Sequence, residues 1–295
     1  MKALICGLAR QCAAVLPASF ARIDELRGCF DLADLLFATN DSDDGTDRIL
    51  TEWSATKPAS VVHADGLAAS VSSRTDRLAM VRNLCLAELQ RRASIGILYD
   101  VLLVLDMDGV NAKLTTGQEF VYALNCAPPD WAAVFGNQRQ AYFDVWALRH
   151  ETWCPNDCWK EVNATAKAAS RWAPRDLRGR LYEYAARRAR TQLVGKKQVH
   201  IPPEAPPIRV ESAFGGIGIY KTSWLTNVWY GGRDNDGHET CEHVVLNRQI
   251  HTRGGKLYIL PKLLNDAPSE HLHPGSGSDE RPWQPSAQSQ SEGDL

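Results

Sequence analysis

The chain lacks an apolar run long enough to cross a membrane, a surplus of charge of either sign, and a dense cysteine framework. Each absence excludes something. A spanning helix needs about 20 consecutive apolar residues, and none is found. The formal net charge is -2 over 295 residues, which argues against nucleic acid as the main partner. The 8 cysteines are scattered, so reduced thiols and a cytoplasmic setting are expected rather than a disulfide scaffold. Met1–Arg10 opens like a signal peptide, but Arg10 interrupts the apolar stretch and a first strand is the better reading. No Gly-Lys-Ser/Thr opens a helix, so a P-loop is excluded. What remains, 44% hydrophobic and 23% charged, is an ordinary globular composition able to bury a full core.

Of what is present, Tyr99–Asn111 is the most informative stretch. Val101–Leu105 is apolar without alternation, as in a strand buried on both faces in the middle of an α/β sheet. It ends in Asp106 and Asp108, then Gly109. In extended backbone these two carboxylates share a face at the strand's C-terminal end, where open α/β sheets place ligands. Two like charges so close call for a cation, and hard carboxylate oxygens suit Mg2+ or Mn2+. The plainer reading is a pair of solvated acids in a turn.

Strands are expected at Lys2–Leu8, Asp34–Thr39, Ser60–His63, Trp131–Asn137 and Lys256–Pro261, with helices over about 13–26 and from Ser73 onward. Asn40–Thr46 is a polar turn whose Gly45 suits positive φ, with Thr46 or Asp47 capping the next helix. Such a strand-to-helix turn suits a nucleotide. Arg74, Arg77 and Arg82 lie in the N-terminal half of the helix from Ser73, where guanidinium groups can meet phosphates if that face turns toward the aspartates. Phe143–His150 reads as a short strand carrying Asp144, followed by an irregular loop to Cys158. His150, Cys154 and Cys158 lack zinc-ligand spacing; free thiols or a disulfide fit better.

Residues 171–197 hold nine basic residues against Asp176 and Glu183, with Leu177, Leu181, Tyr184 and Arg188 at helical spacing. A solvated basic helix is the simplest reading; peripheral contact with a membrane surface, or with a lipid-linked diphosphate, is the sharper one. Gly215, Gly216 and Gly218 imply close backbone approach by a ligand or neighbour. Glu242 and His243 open a further helix, whose dipole favours an ionised acid. Beyond His273 the composition is that of a disordered tail.

Two families resemble this pattern. Asp-Met-Asp-Gly-Val is similar to the first motif of haloacid-dehalogenase-type phosphatases, which implies Asp106 as nucleophile with magnesium beside it, and would have to draw on Lys221, Asp234 and Asp236. However, Asp234 and Asp236 follow no buried strand, and several strand–helix repeats precede the aspartates. The motif order as a whole resembles GT-A glycosyltransferases of the capsule-associated mannosyltransferase type and their viral and bacterial relatives. It runs from the Asn40–Thr46 turn through the Arg-Asn helix, Asp106-x-Asp108, Phe143–Arg149 and Ser212–Tyr220 to Cys241-Glu242-His243.

That resemblance implies an α/β fold of GT-A (Rossmann-like) type: a mixed, mainly parallel central sheet flanked by helices, in a single domain over 1–273. Residues 1–110 would form its nucleotide-binding half and 111–273 its acceptor half. It further implies a UDP- or GDP-linked sugar donor, a glycan or lipid-linked acceptor, a role in polysaccharide biosynthesis, and a site at the inner membrane surface. Asn40, Asp41, Asp44, Arg77, Arg82 and Asp106 would hold the donor, Asp106 and Asp108 the metal, and Glu242, with Asp144 and Glu239 as substitutes, would serve as base. His243, His271 or His273 is offered as a late metal ligand, an ordinary surface histidine being the plainer reading of each. A binding module on the same scaffold is a third class.

Overall fold

The computed structural model describes residues 1–273 and Ser276; apart from Ser276, the expected tail lies outside the described residues. In chain order the elements are β1 (Lys2–Ala9), α1 (Leu16–Arg27), β2 (Leu32–Thr39), α2 (Thr46–Ser54), β3 (Ala59–His63), α3 (Leu67–Ser70), α4 (Arg74–Ser94) and β4 (Val101–Asp106). After a 3-10 turn at Val110–Lys113 follow α5 (Gly117–Asn125), β5 (Trp131–Gln138), α6 (Cys158–Ser170), α7 (Arg175–Leu193), β6 (Ile208–Val210), β7 (Ile217–Lys221), α8 (Glu242–Thr252) and β8 (Lys256–Asn265). All eight strands form one sheet in the order β3-β2-β1-β4-β7-β5-β8-β6. β1 to β4 are mutually parallel, as are β5 and β8; β7 runs antiparallel between β4 and β5, and β6 antiparallel to β8. The sheet is therefore mixed and mainly parallel, as expected.

Period-two alternation explains why both faces are covered. Leu4, Cys6, Leu102 and Val104 point into one apolar layer, with Leu86 and Leu89 of α4 and Val244 of α8. Ile5, Val101, Leu103 and Leu105 point into the other, with Leu16, Phe20 and Ile23 of α1 and Phe120 of α5. A strand with apolar residues on both sides is satisfied only between two helical layers.

Register decides where the chemistry sits. Ala9 pairs with Thr39 and Leu8 with Asp106, so β1, β2 and β4 end together at one edge. Because β7 is antiparallel, its entry turn at Gly215–Gly216 arrives at that same edge, opposite the end of β4. Gly216 has φ +80, and a Cβ there would lie 2.4 Å from Val110 Cγ1. The expected close approach is thus by a neighbouring side chain. We predict that Gly216→Ala costs about 2–4 kcal/mol, from left-handed strain plus overpacking; a denaturant melt within 0.5 kcal/mol of wild type would refute this.

Three local expectations are corrected. Gly45, at φ 91, is itself the N-cap of α2. Thr46 begins the helix, and its hydroxyl donates to Asp44 instead (2.6 Å). Phe143–His150 is no strand: it is irregular chain with one turn at residues 145–147, bridged at Arg149 to Ser212 and at His150 to Cys154. Arg149, buried against Asp157 (2.8 Å), also donates to the carbonyls of Trp146 and Leu148, occupying acceptors that a strand would pair. The basic segment is not one helix to Lys197 but α7 alone, which ends at Leu193 and stands beside α6, a helix the apolar pattern does not announce.

Candidate active site

Asp106 ends β4 with its backbone gripped on both sides. Its N–H donates to Gly216 O (3.0 Å), and its carbonyl accepts from Asn111 Nδ2 (3.0 Å). Asn111 in turn donates to Gly216 O (2.7 Å) and accepts from Asn265 Nδ2 (3.0 Å). Buried amides are kept only when satisfied, so this lattice ties the aspartate turn to the glycine turn beside it. Met107 points into the apolar layer, while Asp106 and Asp108, on either side of it, line a cleft of about 320 Å³.

Arg82 of α4 lies at the floor of that cleft, only 4% exposed. Its Nη2 donates to Asp106 Oδ1 and its Nε to Glu242 Oε1, each at 2.9 Å. The guanidinium lies 5.0 Å from the Phe214 ring centroid and 5.9 Å from that of Tyr230. Burial works against its charge, but Asp106 and Glu242 outweigh this and hold it above the ordinary arginine range. Asp106 is pushed up to about 7, chiefly by burial; Arg82 opposes the rise and the Asp108 and Asp144 charges add to it. Asp144 is also raised, by burial first, although it accepts N–H bonds from Gly215 (3.1 Å) and Ala147 (3.4 Å). His243 is stacked on Phe214 (3.6 Å between centroids) and makes no hydrogen bond at either ring nitrogen. Burial, then Arg82, drives its pKa well below that of free histidine, so the ring is neutral.

Four acids thus line one cleft with a single buried arginine between two of them. Asn40, at the end of β2, shares the wall, and Arg10, Arg74 and Arg77 line it as well. Arg77 Nη1 also donates to the carbonyls of Val71 (2.6 Å) and Ser72 (2.9 Å). A cleft with excess carboxylate on one part and arginines on another suits a divalent cation together with a phosphorylated ligand. Asp106 and Asp108 offer two hard oxygen ligands, which fits an ion that takes its other positions from substrate oxygens and water. Among the described residues, three-ligand groups occur only at Asp47–His63–Asp65 and Asp234–Asp236–His238, and neither lines the cleft. The chain is similar to a mannosyltransferase of known structure. This protein, from Pyrobaculum calidifontis and solved with GDP-Man and Mn2+, is 12% identical; the match spans 91% of this chain and 57% of that one, with TM-score 0.45. A second similar structure is S. aureus TarS with UDP-GlcNAc (11% identity, 92% of this chain, 60% of that one, TM-score 0.41). A third is Mycobacterium tuberculosis glucosyl-3-phosphoglycerate synthase with UDP (12%, 77%, 59%, 0.35). This chain spans less than two thirds of the length of each. No family model and no curated protein matches the sequence.

Asn40, Arg77, Arg82, Asp106, Asp108, Asp144 and Glu242 therefore meet in one cleft, whereas Asp41 and Asp44 stay outside its lining. Asp41, at φ 49, accepts from the N–H groups of Gly66 (2.6 Å) and Ala68 (2.9 Å); Asp44 accepts from Ala13 N (2.9 Å) and Thr46 N (3.0 Å). Both brace the turn. The phosphatase set is not assembled either. Lys221 pairs with Val101 at the far end of β4, and Asp234 is bonded to Lys160. Cys154 and Cys158 are free, their thiols donating to Val145 O. Phe143, Trp146 and Phe214, which lie in the motif segments Phe143–Arg149 and Ser212–Tyr220, and His271, offered as a metal ligand, line the cleft as well; that the three aromatic side chains themselves form its wall was not read from the sequence.

Proposed function

We propose that this chain is a metal-dependent glycosyltransferase that moves a sugar from a UDP- or GDP-linked donor to the hydroxyl of a glycan or lipid-linked acceptor. The observation that carries the reading is the shared cleft. Asp106 at the end of β4 and Asp108 in the turn after it, Asn40 just beyond β2, and the arginines of α4 face one volume at the edge where the parallel strands end. Asp106 and Asp108 would hold Mn2+ or Mg2+, which when bound supplies stabilisation for the charge gathering on a nucleotide-diphosphate leaving group. Arg74 and Arg77 would meet the phosphates and Asn40 the nucleoside, with Asp41 and Asp44 acting only through the turn they brace.

Of the three acids suggested as base, Glu239 is outside the cleft lining and accepts from Thr75 Oγ1 (2.9 Å). Glu242 and Asp144 both line it, but Glu242 is 3% exposed and committed to Arg82, whereas Asp144 is held by backbone N–H groups. We assign proton removal from the acceptor to Asp144, with Glu242 orienting Arg82. A base works ionised, so the raised pKa of Asp144 moves the acidic limb of the rate profile upward toward neutrality. Turnover should fall as pH is lowered through that limb. Asp144→Asn should lose transfer at every pH while still binding donor; transfer that survives with its acidic limb intact would exclude Asp144.

Calorimetry with UDP- and GDP-sugars, with Mn2+ and with chelator, tests the reading as a whole. Donor binding at least about tenfold tighter with metal is expected. Turnover of a generic phosphomonoester without nucleotide-sugar binding would overturn it.

A further inference from the structure

We infer that the α6–α7 hairpin is a docking surface for an anionic lipid bilayer, with α7 lying in the headgroup plane and Trp172 as its interfacial anchor. No helix among the described residues is long and apolar enough to cross a membrane, so this contact is peripheral. Trp172, in the link between the helices, is 85% exposed. Leu177, Leu181 and Tyr184 follow at helical spacing and are 43%, 42% and 60% exposed. The opposite side of α7 is the one that packs: Ala186 and Ala189 are buried with Val162 and Ala166 of α6, and Tyr182 donates to Asn163 (3.0 Å). An apolar row is therefore turned outward from a helix whose inward face is already satisfied, the reverse of what a soluble helix pair requires.

Charge decides the occupant. Lys167–Arg188 contains seven basic residues against Asp176 and Glu183, in a chain whose overall balance is -2. None of those seven forms an ion pair among the described residues, although most arginines of α4 do. Arg180, Arg187 and Arg188 flank the exposed apolar row, while Lys167, Arg171, Arg175 and Arg178 line an open groove between the two helices. Unpaired arginines alone would suit any polyanion. Interleaved with an outward Trp, Tyr and two Leu, they match the acyl–headgroup boundary, where aromatic rings sit and basic side chains reach phosphate. Arg171 stands 4.8 Å from the Trp172 ring, so charge and anchor arrive as one unit. The surface shares no residue with the cleft, and its test leaves the assignment of the cleft untouched.

The test is flotation of the full chain with vesicles of equal parts phosphatidylglycerol and phosphatidylcholine, against phosphatidylcholine alone. Binding to the anionic vesicles only, weakened by salt, is expected. Arg180→Glu combined with Arg187→Glu should weaken it by more than about tenfold, since each basic residue near such a surface is worth roughly a factor of five. Trp172→Ser should weaken it several-fold while leaving its salt dependence. All three positions are exposed, so unchanged circular-dichroism melts confirm that folding is not at issue. Absence of binding to anionic vesicles, equal binding to neutral ones, variants that float like wild type, or arginine-dependent binding to heparin or RNA with none to vesicles would each overturn the inference.

Discussion

Asp108→Ala is expected to lower metal-dependent sugar transfer by about 100-fold or more, the scale of removing one fixed electrostatic stabiliser. Asp106 cannot compensate: it already shares its charge with Arg82, and the two-residue spacing leaves Asp108 as the exposed carboxylate facing the cleft. The backbone should tolerate the change, because the Asp108 side chain holds only a long contact to Val110 N (3.3 Å) while the turn is fixed by Asn111 and Gly216. Folding stability should therefore move by less than about 0.5 kcal/mol while Mn2+ affinity collapses. Asp236→Ala, in an acidic group outside the cleft, is the control and should leave both unchanged. Near-wild-type transfer by Asp108→Ala would remove the metal assignment.

Arg82→Met should be the most damaging substitution to stability, at about 3–5 kcal/mol, because it leaves Asp106 and Glu242 buried without their shared cation. The loss depends on pH, and its sign follows from Asp106. That carboxyl already sits at about 7, above its unfolded value, so its contribution is present at low pH and lost as pH rises through about 7. Without Arg82 it is driven higher still. The penalty should therefore grow between pH 5.5 and pH 8, read from urea midpoints at the two values. Arg82→Lys keeps the charge but has no planar fork to reach both acids at once, and should recover only part of the loss. A penalty below about 1 kcal/mol for Arg82→Met, or one flat with pH, would show that the bridge is not what holds α4 and α8 to the end of β4.

Much of the fold follows from local pattern. The unbroken apolar run of β4 could be satisfied only inside a two-layered sheet, and the Ser73 start of α4 is a working cap, its hydroxyl accepting from Asp76 N (3.2 Å). Where side chains compete for backbone groups, pattern fails. Asp144 and Arg149 turn an apparent strand into an irregular segment around one turn, and α6 carries its one apolar stripe among alanines too small to announce it.

The sequence by itself placed two carboxylates together at the end of a buried strand; the strand stops at Asp106, however, and Asp108 reaches the cleft from the Met107–Gly109 turn, not through alternation along extended backbone. Only the tertiary structure decided that Arg82, one of several arginines on a helix, is the one bridging Asp106 to a glutamate 160 positions later, and that Asp41 and Asp44 face their own loop. Those outcomes depend on register between distant strands and on burial, which no local spacing contains.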